Sequence, residues 1–176
     1  MYFEDLTKYE YMATENSRNV GWLEKGHFIN KGAVPDEFVK KLWKYLRYPV
    51  QVCRGFHVCD FCKITKTGVP TVTYKGETRE VGYYEIRVWD ENGDMYAAPS
   101  LILHYILAHG YKPPQEFIDA VINSPDASSE EYYQKILAYS NGYDFWLASD
   151  CTKKKHSSLF KKYWAQLRNK IKGAES

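Results

Sequence analysis

Tyr83-Tyr84-Glu85-Ile86-Arg87-Val88-Trp89-Asp90-Glu91-Asn92-Gly93-Asp94-Met95-Tyr96-Ala97-Ala98-Pro99 is the stretch that decides the fold. Residues 83–89 alternate, with Tyr84, Ile86 and Val88 on one face and Glu85 and Arg87 on the other, which predicts a strand. Asn92-Gly93 is a strong short hairpin signal, because Asn and Gly tolerate the left-handed backbone that a tight turn needs. A return strand is therefore expected around 95–97. Glu85 and Arg87 share a face, and cross-strand ion pairing is the expected meaning of that pattern.

Working outward, Pro99 is expected to open a helix that runs to about His109, closed by Gly110 and set apart by Pro113. Pro114 opens another, with Phe117, Val121 and Ile122 facing inward. Upstream, Pro35 with Asp36 and Glu37 marks a helix start, and Phe38, Val39, Leu42, Trp43 and Leu46 recur at helical spacing to about residue 47. Short strands are expected at 20–23, 50–53 and 71–74. Ser128 and Glu131 have capping-box spacing, so a fourth helix should run to about Tyr139, where Asn141-Gly142 follows. A fifth, 157–172, aligns Phe160, Tyr163, Trp164, Leu167 and Ile171 along one side. Hairpins and separate helices without βαβ alternation give an α+β fold, a small antiparallel sheet with four to five helices packed on it. The boundary signal near Asp126 divides the chain into a main domain, 1–124, and a helical C-terminal extension, 125–176.

The chemistry is concentrated in Arg54-Gly55-Phe56-His57-Val58-Cys59-Asp60-Phe61-Cys62. Two cysteines two residues apart can turn both sulfurs onto one cation, which makes half a zinc site. The other half must come from His27, His57, His104, His109, Cys53 or Cys151. His104 interrupts the apolar run 101–108 and is expected to be buried, where an imidazole needs a partner. His109 follows at the helix end, a spacing used to close Cys2His2 sites. The expected ligand set is Cys59, Cys62, His104 and His109 around a structural zinc ion, with His57 as the alternative fourth ligand. Cys53, at a strand end, reads as core.

Four cysteines among 176 residues, an acidic N-terminus without a leader pattern and no apolar run near the ~20 residues of a membrane span point to a cytoplasmic protein with reduced thiols. A deaminase-type zinc motif, a Gly-rich phosphate loop and a nucleophile elbow are all missing from the sequence. Aromatic residues make up 16%, including 16 Tyr, a composition that favours protein interfaces. Charge is divided: residues 152–176 hold eight Lys/Arg against one acid, +7, which leaves −5 of the net +2 for the rest.

The blocks Asn19-Val20-Gly21-Trp22-Leu23, Arg54 to Cys62, Glu85-Ile86-Arg87-Val88, Tyr96-Ala97-Ala98-Pro99, His104-Tyr105 and His109-Gly110-Tyr111-x-Pro113-Pro114-x-Glu116-Phe117 occur in one order. In this the chain resembles a family of uncharacterised bacterial proteins, over about residues 1–123. The resemblance implies a bacterial cytosolic origin and brings no activity with it.

The combined expectation is a non-enzymatic, zinc-stabilised binding protein whose partner is another protein, most specifically a bacterial toxin neutralised by it as an immunity protein. A metal-dependent hydrolase or nucleic-acid-processing enzyme, and a nucleic-acid-binding regulator using the basic C-terminal helix, are the alternatives. Lys154, Lys155, Lys161 and Lys162 are the expected partner-binding patch. Neutralising these four together should leave the fold intact and slow association with an acidic partner at low salt, measured by stopped flow across an ionic-strength series.

Overall fold

In the structure, a computed structural model, residues 1–10, 16–62 and 68–139 are described. The elements run β1 (Ser17–Asn19), α1 (Asp36–Tyr45), β2 (Thr71–Tyr74), β3 (Glu77–Glu80), β4 (Glu85–Trp89), β5 (Met95–Pro99), α2 (Ile102–His109), α3 (Gln115–Asn123) and α4 (Glu130–Tyr139). The fold is α+β. The expected fifth helix, the four lysines of the basic patch and Cys151 lie outside the described residues. Among the described residues, no helix is long and apolar enough to cross a membrane.

The central hairpin forms where the sequence places it. β4 and β5 pair antiparallel, with Ile86 opposite Ala98 and Val88 opposite Tyr96. Asp90 bridges the turn, its side chain accepting from the backbone N–H groups of Asn92 and Asp94. The sheet is mixed, however: β1 adds to β5 in parallel, Ser17 opposite Met95 and Asn19 opposite Ala97. The strand expected at 20–23 thus sits earlier, at 17–19. Past it, Gly21 turns the chain at φ +75°, where an added Cβ would lie 2.8 Å from the Ile102 side chain.

Two other expectations are corrected by backbone geometry. Residues 50–53 lie beside β4, with Val50 and Glu85 exchanging backbone hydrogen bonds of 2.8 and 2.7 Å, yet Gln51 takes φ +50° and interrupts any continuous strand. In the other direction, β3 (Glu-Thr-Arg-Glu) has no apolar alternation to announce it. It forms because Lys75 and Gly76, at φ +49° and +83°, make a two-residue turn whose twist suits a hairpin, so Glu77–Glu80 fold back on β2. Arg79 then stacks its guanidinium on the Trp43 ring, 3.6 Å from the centroid.

Glu85 and Arg87 share one face of β4, and that face is buried like the other: all five residues of the strand are buried. One face packs against α3, where Phe117 meets both Tyr96 and Phe38 of α1 at ring separations of 6.0 Å. The other face is covered by the N-terminal arm and α4. There Arg87 is wholly buried, its Nη1 2.7 Å from a Glu85 carboxylate oxygen and its Nη2 donating to the Tyr9 hydroxyl at 2.9 Å. Tyr9 in turn donates to the same Glu85 oxygen at 2.9 Å. Glu85 and Arg87 therefore pair along one strand, not across strands. Burial opposes the guanidinium's charge, but the Glu85 carboxylate more than offsets it and holds Arg87 protonated. Burial pushes the Tyr9 phenol far above its ordinary value.

α4 seats Tyr132 among Tyr45, Tyr48 and Trp89, and its hydroxyl donates to the Arg87 carbonyl at 2.9 Å. Its cap differs by one residue from the expected Ser128: the Ser129 hydroxyl accepts from the Tyr132 N–H, while Ser128 donates to Asp126. Lys44 closes an ion pair with Asp126 at 2.6 Å, so the segment on either side of residue 124 packs on α1.

Arg87→Leu should cost about 3–5 kcal/mol in urea unfolding, because it strands the Glu85 carboxylate in the interior. Adding Glu85→Leu should restore much of that loss; equal or additive costs would show that the two charges do not depend on one another.

Candidate metal centre

The centre is built from α2 and the loop preceding β2. α2 is apolar on most sides, but the face that carries His104 is open: His104 is half-buried, not buried as expected, and Leu107 is exposed. His109 is the last residue of the helix. Gly110 ends it at φ +67°, a conformation costly for residues with a Cβ, and the Tyr111 N–H turns back to the Tyr105 carbonyl at 3.1 Å. That termination swings His109 round to His104, their Nε2 atoms 3.2 Å apart.

The cysteine loop has no regular secondary structure and is held by its backbone. Cys53 N–H donates to the Tyr83 carbonyl and His57 N–H to the Gly82 carbonyl, each at 2.7 Å. Gly82 sits at φ +89°, and a Cβ there would come within 2.4 Å of the His57 carbonyl oxygen, so only glycine permits the clasp. The Gly82 N–H is itself anchored on the Ser100 hydroxyl at 2.8 Å. Phe56 packs edge-on against Tyr83, and Phe61 lies against both Tyr105 and His109. Cys59 and Cys62 flank a tight turn, with the Cys62 N–H donating to the Cys59 carbonyl at 3.3 Å.

Four side chains meet as a result. Cys59 Sγ lies 3.2 Å from His109 Nε2, and Cys62 Sγ lies 3.3 Å from His104 Nε2 and 3.5 Å from His109 Nε2. One ligand atom from each of the four falls within 4.8 Å of all the others, close enough to hold a single metal ion. Burial, first, pushes the Cys59 thiol up to about 11, with the adjacent Cys62 adding to the rise. Burial and the nearby Lys31 ammonium lower His109. Burial thus disfavours the Cys59 thiolate, and a divalent cation bound there would displace that thiol proton.

The remaining sequence candidates among the described residues are elsewhere. His57 is not in this group and contributes its backbone; burial and the N-terminal ammonium lower its imidazole pKa. His27 stacks on Tyr2 at 3.6 Å. Cys53 is exposed, not core, because the turn at Gln51 points it outward, where its thiol contacts the Gln51 carbonyl at 3.5 Å. What the motif did not reveal is the support: Gly82, Ser100 and Phe61. A glycine between two apolar residues, Val81 and Tyr83, just before the β4 run was the one available signal of close backbone approach.

Gly82→Ala should weaken metal binding about 10-fold or more and destabilise the fold by about 2 kcal/mol, read by chelator competition and urea unfolding. Unchanged affinity would mean that the clasp does not position the loop.

No curated protein and no solved structure matches this chain. A family model described as a domain of unknown function, DUF7919, matches residues 1–122, a stretch that contains all four donors. The chain belongs to that family.

Proposed function

We propose that the four donors hold one structural zinc ion, and that the protein is a non-enzymatic binding module stabilised by it. The observation that carries this is the spacing of the donor atoms. A tetrahedron with Zn–S about 2.3 Å and Zn–N about 2.0 Å has N···N edges of about 3.3 Å and S···N edges of about 3.5 Å. The separations of 3.2 Å between imidazoles and 3.2 to 3.5 Å between sulfur and nitrogen match those edges with little adjustment. Two thiolates and two imidazoles also form a complete soft-to-borderline donor set, as zinc prefers. Four protein ligands favour a closed, structural site over the three-ligand arrangement with an open position that a metal-dependent hydrolase needs.

Such an ion would tie the cysteine loop to α2 and fix what the loop displays. Phe56 and Val58, in the same loop, are about half exposed, and Phe28 on the loop before α1 is 87% exposed. Apolar side chains held out on a rigid loop support a role in binding another protein. The most specific form of this reading is a bacterial immunity protein that neutralises a toxin. A reducing cytoplasm belongs to the same reading, since zinc requires the thiols free.

Protein purified without an affinity metal should contain about one zinc per chain by elemental analysis. Cys59→Ser and His104→Ala should each lose it and lower the melting temperature by on the order of 10 °C. His57→Ala should keep it. A zinc-free wild type with freely titratable native thiols would defeat the proposal.

A further inference from the structure

Among the described residues, the two sulfurs of the centre are not equally protected. Cys59 is half-buried, whereas Cys62 is exposed. The turn between them, closed by the Cys62 N–H to Cys59 carbonyl hydrogen bond, keeps residues 59 and 62 within the Cα separation that a disulfide tolerates. Their Sγ atoms lie within 4.8 Å of one another, so a bond can form by side-chain rotation without dismantling the loop.

We propose that Cys62 is a peroxide-reactive site and that its oxidation releases the metal; this rests on the zinc reading above. The Cys62 thiolate attacks one peroxide oxygen, the O–O bond breaks, and the departing hydroxide takes a proton to leave as water. Cys62 is then a sulfenic acid. The Cys59 thiolate attacks that sulfur, the S–S bond forms, and the second hydroxide leaves as water with another proton. Two thiolates have given up two electrons, and one peroxide has become two waters. The disulfide sulfurs no longer serve as anionic ligands, and two imidazoles alone retain zinc poorly.

The structural outcome is local. Backbone clasps at Tyr83 and Gly82 still hold residues 53 and 57, but the turn at 59–62 loses its tie to His104 and His109. Phe61, which packs on Tyr105 and His109, is the side chain set free. The device thus converts an oxidant into a change at the end of a loop that carries exposed Phe56 and Val58.

The test uses the full chain loaded with zinc and treated with hydrogen peroxide. A chromogenic chelator reads zinc release, and peptide mass spectrometry locates disulfides. The expected result is one zinc released per Cys59–Cys62 disulfide, reversed by dithiothreitol plus zinc, and unchanged in Cys53→Ser/Cys151→Ser. Zinc that stays bound under peroxide sufficient to oxidise exposed Cys53, or release that disappears in the double variant, overturns the proposal. A chain that never holds zinc defeats the reading on which it rests, a result distinguishable at the loading step.

Discussion

A guanidinium with no access to water organises this molecule. Arg87 lies in the middle of β4, and an unpaired charge there would be far too costly to tolerate. Two groups answer the charge, Glu85 two residues earlier and Tyr9 from the N-terminal arm, while Tyr132 from α4 satisfies the Arg87 carbonyl. The arm is fixed independently by Asp5, whose carboxylate accepts from the Gly21 N–H and the Tyr111 hydroxyl, each at 2.8 Å. One buried charge thereby explains why this face of the sheet is covered by segments remote in sequence.

The metal centre stands on that frame at second hand. β4 is preceded by Gly82 and Tyr83, and these two backbone groups carry the cysteine loop. β5 is followed by Ser100, which anchors Gly82, and then by α2 with its two histidines. Both halves of the donor set therefore hang from the two ends of one hairpin strand pair. An ion bound there would not create the neighbourhood of thiols and imidazoles; it would lock one that hairpin geometry already provides.

Much of this was legible in the chain. Asn92-Gly93 between alternating runs identified the hairpin, and Cys59-x-x-Cys62 with His104 and His109 marked the residues that the structure brings together. Those signals are local: turn chemistry, periodicity and ligand spacing act within a few residues. The failures came from contacts distant in sequence and from left-handed turn residues that no apolar pattern announces. Alternation put Glu85 and Arg87 on one face as members of a cross-strand pair, because nothing near them announces Tyr9 or Tyr132. β3 was invisible since its pairing comes from the Lys75-Gly76 turn and not from apolar content. Cys53 looked like core because a left-handed Gln51 cannot be read from Val50-Gln51-Val52-Cys53.

The seat for Tyr132 has a consequence for how the family's boundary is understood. Its walls, Tyr45, Tyr48 and Trp89, fall within the stretch matched by the family model, whereas its tenant lies ten residues beyond residue 122. The packing of the fold consequently continues past the matched stretch. A relative whose helix after α3 is shorter or differently placed must fill three aromatic walls and satisfy one strand carbonyl by other means. Positions 45, 48, 89 and 132 are one packing unit, so the ring volume at any one of them sets what the others can accommodate.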